Sequence, residues 1–235
     1  MSKYFKRFNS IDADYLRADR HIHSTFSDGE MTILQVAREA EKRNLRQIAI
    51  VDHVREGSAY FDKYCEDIMN VCQQVGVEIL IGFEAKIKNF QGDVDASEDV
   101  AKRAQIRVAS VHRFPLGRRL YEAGMFDKKI CQEIELELSI AALRNGSFDV
   151  LGHPGGMSLR AYGEFPLEFF EEIILECKNA DIAFELNSSY CFAVLKDLRR
   201  LLKKHDVLVS LGSDAHSVKD IDGFMAMQKI MAGDE

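Results

Sequence analysis

The segment Asp19-Arg20-His21-Ile22-His23-Ser24-Thr25-Phe26-Ser27-Asp28-Gly29 decides how this chain is read. It opens as a short strand candidate and closes in a polar turn. Successive side chains of a strand point to opposite faces, so His21 and His23 share one side. Two imidazoles aimed the same way, with the carboxylate of Asp28 five residues on, are a natural start for a divalent-metal site. A lone histidine on an apolar strand is more often a satisfied core residue, so the surrounding sequence has to decide.

Working outward, short apolar runs with β-branched residues alternate with stretches of helical period. Strands are predicted at residues 19–23, 47–52, 78–83, 106–111, 149–152, 182–186 and 207–212. Helices are predicted at about 32–43, 60–74, 97–104, 127–144, 166–178, 193–204 and 220–231. Thr32-Ile-Leu-Gln35 reads as a capping box, and Pro166 suits a first helical position. Strands alternating with helices imply a parallel sheet with helical crossovers. An open doubly wound sheet and a closed barrel both fit that rhythm. No linker, repeat or low-complexity stretch divides the chain, so one domain is expected over residues 1–235, with 1–17 as a leader.

The chain has seven histidines, and six fall at or just past a predicted strand end: His21, His23, His53, His112, His153 and His216. Glu84 directly follows the third strand, and Asp214 precedes His216 by two. In a barrel the carboxyl ends of parallel strands converge on one face, where active sites are built. Six histidines with Asp28, Glu84 and Asp214 make nine ligand-type groups. That is too many for one ion and suits two or three, with a carboxylate bridging. Imidazole and carboxylate together accept Zn, Mn or Fe. His205, in a helical segment beside Lys203 and Lys204, reads as surface.

Composition narrows the class. The chain has 235 residues, 46% hydrophobic and 29% charged, as in an ordinary globular protein. That length buries roughly 70–75% of the unfolded surface, so no metal is needed merely to fold. The formal charge of -7 argues against a dedicated nucleic-acid binder. A small anionic substrate remains compatible, because arginines or metal ions reverse the field locally. No apolar run reaches 18 residues, so no membrane span is expected. The start, Met1-Ser-Lys-Tyr-Phe-Lys-Arg-Phe, lacks a following signal-peptide core. Five cysteines without a C-x-x-C pair fit reduced thiols in a cytoplasm, acting as small core hydrophobes.

These residues resemble the motifs of the PHP (polymerase and histidinol phosphatase) domain family. His21-Ile-His23-Ser-Thr-Phe-Ser-Asp28-Gly29 is similar to its first motif. Val51-Asp52-His53 resembles the second, commonly Thr-Asp-His. Gly82-Phe-Glu84, Ser110-Val-His112, Gly152-His153-Pro154 and Ser213-Asp214-Ala-His216 follow in the family's order. The resemblance implies a distorted seven-stranded (β/α) TIM-like barrel that binds two or three metals and hydrolyses phosphate esters. By the same resemblance His21, His23, Glu84 and Asp214 hold one ion. Asp28, His53 and His216 hold a second, and Glu84, His112 and His153 a third. Many members carry histidine one residue after Asp28, where this chain has Gly29, which leaves the second ion's identity open. Asp52 is expected to orient His53 or a neighbouring ligand.

Three M2+ ions against three carboxylates and one hydroxide leave roughly two positive charges, matching a phosphate monoester dianion. Metal binding lowers the pKa of water to about 7, so the expected activity is attack by a metal-bridging hydroxide on a small phosphorylated substrate. No nucleophilic Ser or Cys motif is visible. Glu84, Asp214 and His216 are the catalytic candidates; Arg113, Arg160 and Asn187 are the substrate-binding ones, arginine being suited to bidentate phosphate contact. Arg55, Arg118 and Arg119 share nearby loops. A phosphodiesterase or nucleotide-directed hydrolase is the alternative, and a non-catalytic metal-binding module a third. Substrate identity and oligomeric state are not legible at this level.

Overall fold

The alternating apolar periods resolve into strands and helices as chain order predicts. The computed structural model describes residues 3–117 and 119–233. In order they form β1 (Lys6–Arg7), α1 (Ala13–Leu16), β2 (Ala18–Ile22), α2 (Ile33–Lys42), β3 (Gln47–Ile50), β4 (His53–Val54), α3 (Phe61–Cys72), β5 (Glu78–Lys86), α4 (Glu98–Arg103) and β6 (Ile106–Ser110). There follow β7 (Phe114–Leu116), β8 (Arg119–Tyr121), α5 (Lys128–Asn145), β9 (Val150–Gly152), α6 (Gly156–Tyr162), α7 (Leu167–Ala180), β10 (Ala183–Asn187), α8 (Leu195–His205), β11 (Leu208–Gly212) and α9 (Val218–Ala232). The Thr32 capping box forms, with the Gln35 side chain returning to the Thr32 amide. Pro166 sits one residue earlier than predicted, as the extended residue just before α7.

Seven strands run parallel in chain order, β2-β3-β5-β6-β9-β10-β11. The sheet curls until its two edges meet. There a parallel bridge joins Ile22 to Ala215, the His23 amide donates to the Ala215 carbonyl at 2.9 Å, and the Asp214 amide donates to the His21 carbonyl at 2.8 Å. This is the distorted seven-stranded barrel, closed at its carboxyl end. The short β4 adds to β5 with His53 opposite Glu84. Within the segment 1–17 expected as a leader, Lys6 and Arg7 form β1, which pairs antiparallel with β11. At that seam the Tyr15 hydroxyl donates to the Val209 carbonyl, and the Arg20 guanidinium stacks 4.2 Å from the Tyr15 ring centroid.

Two apolar layers hold the barrel. Ile22, Ile48, Ile50 and Phe184 pack outward under the helices. Ala49, Val51, Leu80, Ile106, Val108, Val150, Ala183 and Leu208 fill the lower barrel with Phe5. The five cysteines are free, and all but Cys72 are buried. His205, read as surface, pairs with Glu171 at 2.7 Å. Among the described residues no helix is long and apolar enough to cross a membrane.

Candidate metal centre

Above the apolar plug the inward side chains turn polar. Glu84 lies four residues beyond Leu80 on β5, and His112 four beyond Val108. Strand alternation puts each pair on one face. All nine predicted ligands converge at this rim. His21 and His23 bring their Nε2 atoms within 3.2 Å of each other, and Asp214 Oδ1 lies 3.0 Å from His23 Nε2 and 3.4 Å from His21 Nε2. Glu84 stands 3.6 and 3.7 Å from the same two nitrogens. Asp28 reaches His53 Nε2 at 3.3 Å and His216 Nε2 at 3.4 Å. Glu84 Oε1 lies 3.1 Å from His153 Nε2 and 3.2 Å from His112 Nε2.

Ligands around a tetrahedral ion with 2.0–2.1 Å bonds sit about 3.3 Å apart, which is the spacing found here. Three groups could each hold an ion: His21, His23 and Asp214; His23, Asp28, His53 and His216; and His53, Glu84 and His112. Two ligands are shared more widely than the resemblance implied. His53 points Nδ1 at Glu84 (2.9 Å) while Nε2 faces Asp28, because β4 seats it beside Glu84. His23 turns Nδ1 toward Asp28 at 3.8 Å.

The donor set fits divalent cations on its own chemistry. His23 Nδ1 and His153 Nδ1 are buried with no hydrogen-bond partner among the described residues. Such orphans are costly unless something binds them. Burial alone would discharge His21, yet Glu185, Glu84 and Asp214 hold it well above its ordinary pKa. Burial raises Glu84, but His112 and His21 outweigh it and keep the carboxyl well below the usual range. Burial likewise works against charge on His53, and Glu84 and Asp28 overcome it to reach about 9. His23, crowded by burial, is pushed down instead. Protons and neighbouring imidazoles thus balance the carboxylates in a place suited to cations.

The supporting groups are as informative. Glu185, on β10 and not singled out in the sequence, accepts from His21 Nδ1 at 2.7 Å and from the His153 amide at 2.7 Å. A carboxylate behind a ligating imidazole fixes the ring's tautomer and direction. Gly212 makes room for the pair, since a Cβ there would run into Glu185 and lie 2.6 Å from His21 Cβ. Asn187 is 1% exposed and donates to Glu185 at 3.0 Å, while its carbonyl accepts from the Ser189 amide. It braces Glu185 and is not among the cavity-lining residues. Asp52 does not orient His53. It accepts from the Ser24 amide (2.8 Å), the Ser24 hydroxyl (2.6 Å) and the Ser27 amide (3.1 Å), tying down the loop that carries Asp28. Buried Glu135 accepts from the Met157 and Ser158 amides and so anchors the start of α6. His153 and Asp214 adopt positive φ, 30° and 57°, a conformation costly for such residues and often found at functional sites.

The centre opens into a cavity of about 880 Å³. Asp28, His53, His112, Asp214 and His216 form its floor, and Arg113, Arg160, Arg55 and Lys86 stand in its walls with Leu120, Met157 and Tyr190. Arg113 pairs with Glu122 at 2.9 Å, and Lys86 with Asp95 at 3.2 Å. Arg160 and Tyr190 share a wall of the cavity, and the Tyr190 ring lies 5.0 Å from that of His153. Arg119 is not among the lining residues, and Arg118 lies outside those described. Tyr190 was missed in the sequence, where only its strand-end position after Asn187-Ser-Ser hinted at it.

A family model described as the PHP domain matches residues 19–189. The chain belongs to the PHP domain family. Asp214 and His216 lie beyond the matched stretch, yet the barrel closure carries them into the same site. A "probable phosphatase" of Caldicellulosiruptor bescii is 28% identical over 229 residues, covering 92% of this chain and 87% of that protein. One from Photobacterium profundum is 25% identical over 224 residues, covering 91% and 83%. The crystal structure of a "putative histidinol phosphatase" from Listeria monocytogenes superposes with a TM-score of 0.67 at 16% identity, over 87% of this chain and 97% of that one. At that identity the likeness bears on the fold alone. This PHP barrel thus has phosphatase-named relatives along nearly its full length.

Proposed function

We propose that this protein hydrolyses a small phosphate monoester at a centre of two or three divalent ions, Zn, Mn or Fe. One observation carries the reading: nine histidine and carboxylate side chains from separate strand ends meet at one rim, with buried donor atoms unpaired, under a cavity walled by arginines. When bound, the ions would supply a nucleophilic water at neutral pH and neutralise charge on phosphorus. His21, His23, Glu84 and Asp214 would hold one, Asp28, His53 and His216 a second, and Glu84, His112 and His153 a third. Glu84 would be common to the first and third of these ligand sets.

The remaining groups place the ester. Arg160, beside Tyr190, and Arg113, steadied by Glu122, reach the cavity from two walls and can hold the non-bridging oxygens. His216 faces the cavity, and its Nδ1 is bonded to the Asp214 carbonyl at 2.8 Å. That bond leaves Nε2 to the metal side, so His216 serves as a ligand, and proton delivery to the leaving alcohol falls to solvent in the open cavity. The dimensions suit a compact substrate, and the chain's acidity does not suit a long polyanion.

The test is a panel of phosphate mono- and diesters with Mn- or Zn-loaded protein, reading both released phosphate and released alcohol. Monoesters are expected to turn over at least tenfold faster than matched diesters. Faster diester turnover replaces this reading with a phosphodiesterase, and metal uptake with no turnover of any ester replaces it with a binding module.

A further inference from the structure

The cavity above the metal centre carries two further cations on its β4–β5 side. β4 lies along β5 with His53 opposite Glu84 and Val54 opposite Ala85. Arg55 follows Val54 and Lys86 follows Ala85, so both stand two residues beyond the His53 and Glu84 layer, about 7 Å further up the wall at the rise of a strand. Both line the cavity. The backbone that carries Arg55 is fixed. Its amide donates to the Ser58 hydroxyl at 2.9 Å, and its carbonyl accepts from the Ser58 amide at 2.9 Å. Asp95, nearly buried, accepts from the Glu56 amide at 3.1 Å and pairs with Lys86 at 3.2 Å, tying loop and lysine together. The Arg55 side chain is exposed and has no ion-pair or hydrogen-bond partner among the described residues. Neighbouring Glu56 turns instead to Lys88, 3.9 Å away. The acids that line the cavity are Asp28 and Asp214, which belong to the metal centre, and Glu122, which pairs with Arg113.

Charge narrows what this side can take. Asp95 balances Lys86, so about one positive charge is left over, on a planar group that pairs with a carboxylate through two parallel hydrogen bonds. A carboxylate brings one negative charge, whereas a second phosphate brings close to two. Given the phosphatase reading, on which this rests, we infer that the substrate is the phosphate ester of a hydroxy acid. Its phosphate lies over the ions with Arg113 and Arg160, which stand after β6 and on α6. Its carboxylate accepts from Arg55, with Lys86 alongside. The chain as a whole carries a charge of -7 and repels a more acidic substrate, so a preference for one has to come from local cations.

The probes are straight-chain hydroxy acid phosphates of several chain lengths, each compared with its carboxamide, which keeps the shape and removes the charge. Released phosphate is followed with Mn-loaded protein. For at least one chain length, kcat/KM is expected to favour the acid over the amide by about fivefold, the upper range for a partly exposed ion pair. In Arg55→Gln that ratio is expected to fall to within about twofold of unity. A wild-type ratio near one at every length overturns the proposal and leaves the phosphatase reading standing. A ratio that Arg55→Gln does not change overturns it as well, even if both esters slow together, because a structural role lowers both alike. Better turnover of a diol bisphosphate than of the acid of equal length overturns the carboxylate assignment. Turnover of neither acid nor amide, nor of any other monoester, removes the phosphatase reading and this inference with it.

Discussion

The two ends of the barrel are made by the same strands and could hardly differ more. On β5 the inward face carries Leu80 below and Glu84 above; on β6 the axis passes from Val108 to His112 just beyond the strand. Below the rim the barrel interior is apolar and interlocked. The upper end gathers imidazoles and carboxylates, leaves the Nδ1 atoms of His23 and His153 without hydrogen-bond partners, and holds His153 and Asp214 at positive φ. Each strand thus supplies packing at its start and chemistry at its finish. Stability and function are thereby separated by about four residues of strand.

The sharpest way to break this comparison is to change one residue at each end of β5. Glu84→Ala removes the carboxylate that approaches His21, His23, His53, His112 and His153. Phosphatase activity is expected to fall by more than about 10³-fold, comparable with the loss of a major electrostatic group, and elemental analysis is expected to show at least one ion lost per chain. Leu80→Ala is expected to cost about 2–4 kcal/mol of stability by urea unfolding while the metal content stays at the wild-type level. If the two variants lose metal alike, the division between the ends is wrong.

A smaller effect is expected from Glu185→Gln. His21 keeps a hydrogen-bond partner at Nδ1 but loses the charge behind it. Partners of this kind are typically worth about 10- to 100-fold in metal affinity or activity, and metal affinity measured by chelator competition is expected to drop within that range. Glu185 also marks where the sequence could and could not be read. The seven strands and their helices were legible because apolar periods depend on local chemistry, and the convergence of the nine candidate side chains because strand ends on a parallel sheet share a face. Glu185 lies at inward parity with Asn187, yet nothing local says that Gly212, on the next strand, leaves space for it to reach His21. Asp52 was expected to orient His53 or a neighbouring ligand; which of the two was not legible, because its partners, Ser24 and Ser27, sit on a loop whose path the sequence does not specify. The pairing of β1 with β11 depended on a two-residue strand, too short to show a period.

The comparison can be sharpened by pH. In chelator-stripped protein His53 stays protonated to about 9, since Glu84 and Asp28 overcome the opposing burial, whereas in the unfolded chain it titrates near 6.5. Between those values the folded state binds more protons, so this contribution to stability is full below about pH 6.5 and is lost as pH rises through about 9. Metal-loaded protein is expected to show the opposite trend over that range, because ligands must give up protons to bind ions and affinity grows with pH. Urea midpoints of both forms at pH 6.5 and 9 are the measurement. Parallel trends would mean that the ions do not take their ligands from this cluster.

The smallest expected effect belongs to the cavity wall. Arg160 lies outside the ligand cluster, on the cavity wall with Tyr190, so Arg160→Ala is expected to leave the ions and both ends of the barrel intact. If its guanidinium holds phosphate equally in the ground and transition states, KM rises about tenfold and kcat stays within about twofold, because uniform binding moves KM alone. A fall in kcat with unchanged KM would instead place Arg160 against charge that appears only as the ester bond breaks. Tyr190→Phe separates the two cases further. It removes the hydroxyl but keeps the ring beside His153, so a positioning role of that hydroxyl toward Arg160 predicts the same KM rise at reduced size. No change in Tyr190→Phe alongside a full effect in Arg160→Ala would show that the arginine finds phosphate unaided.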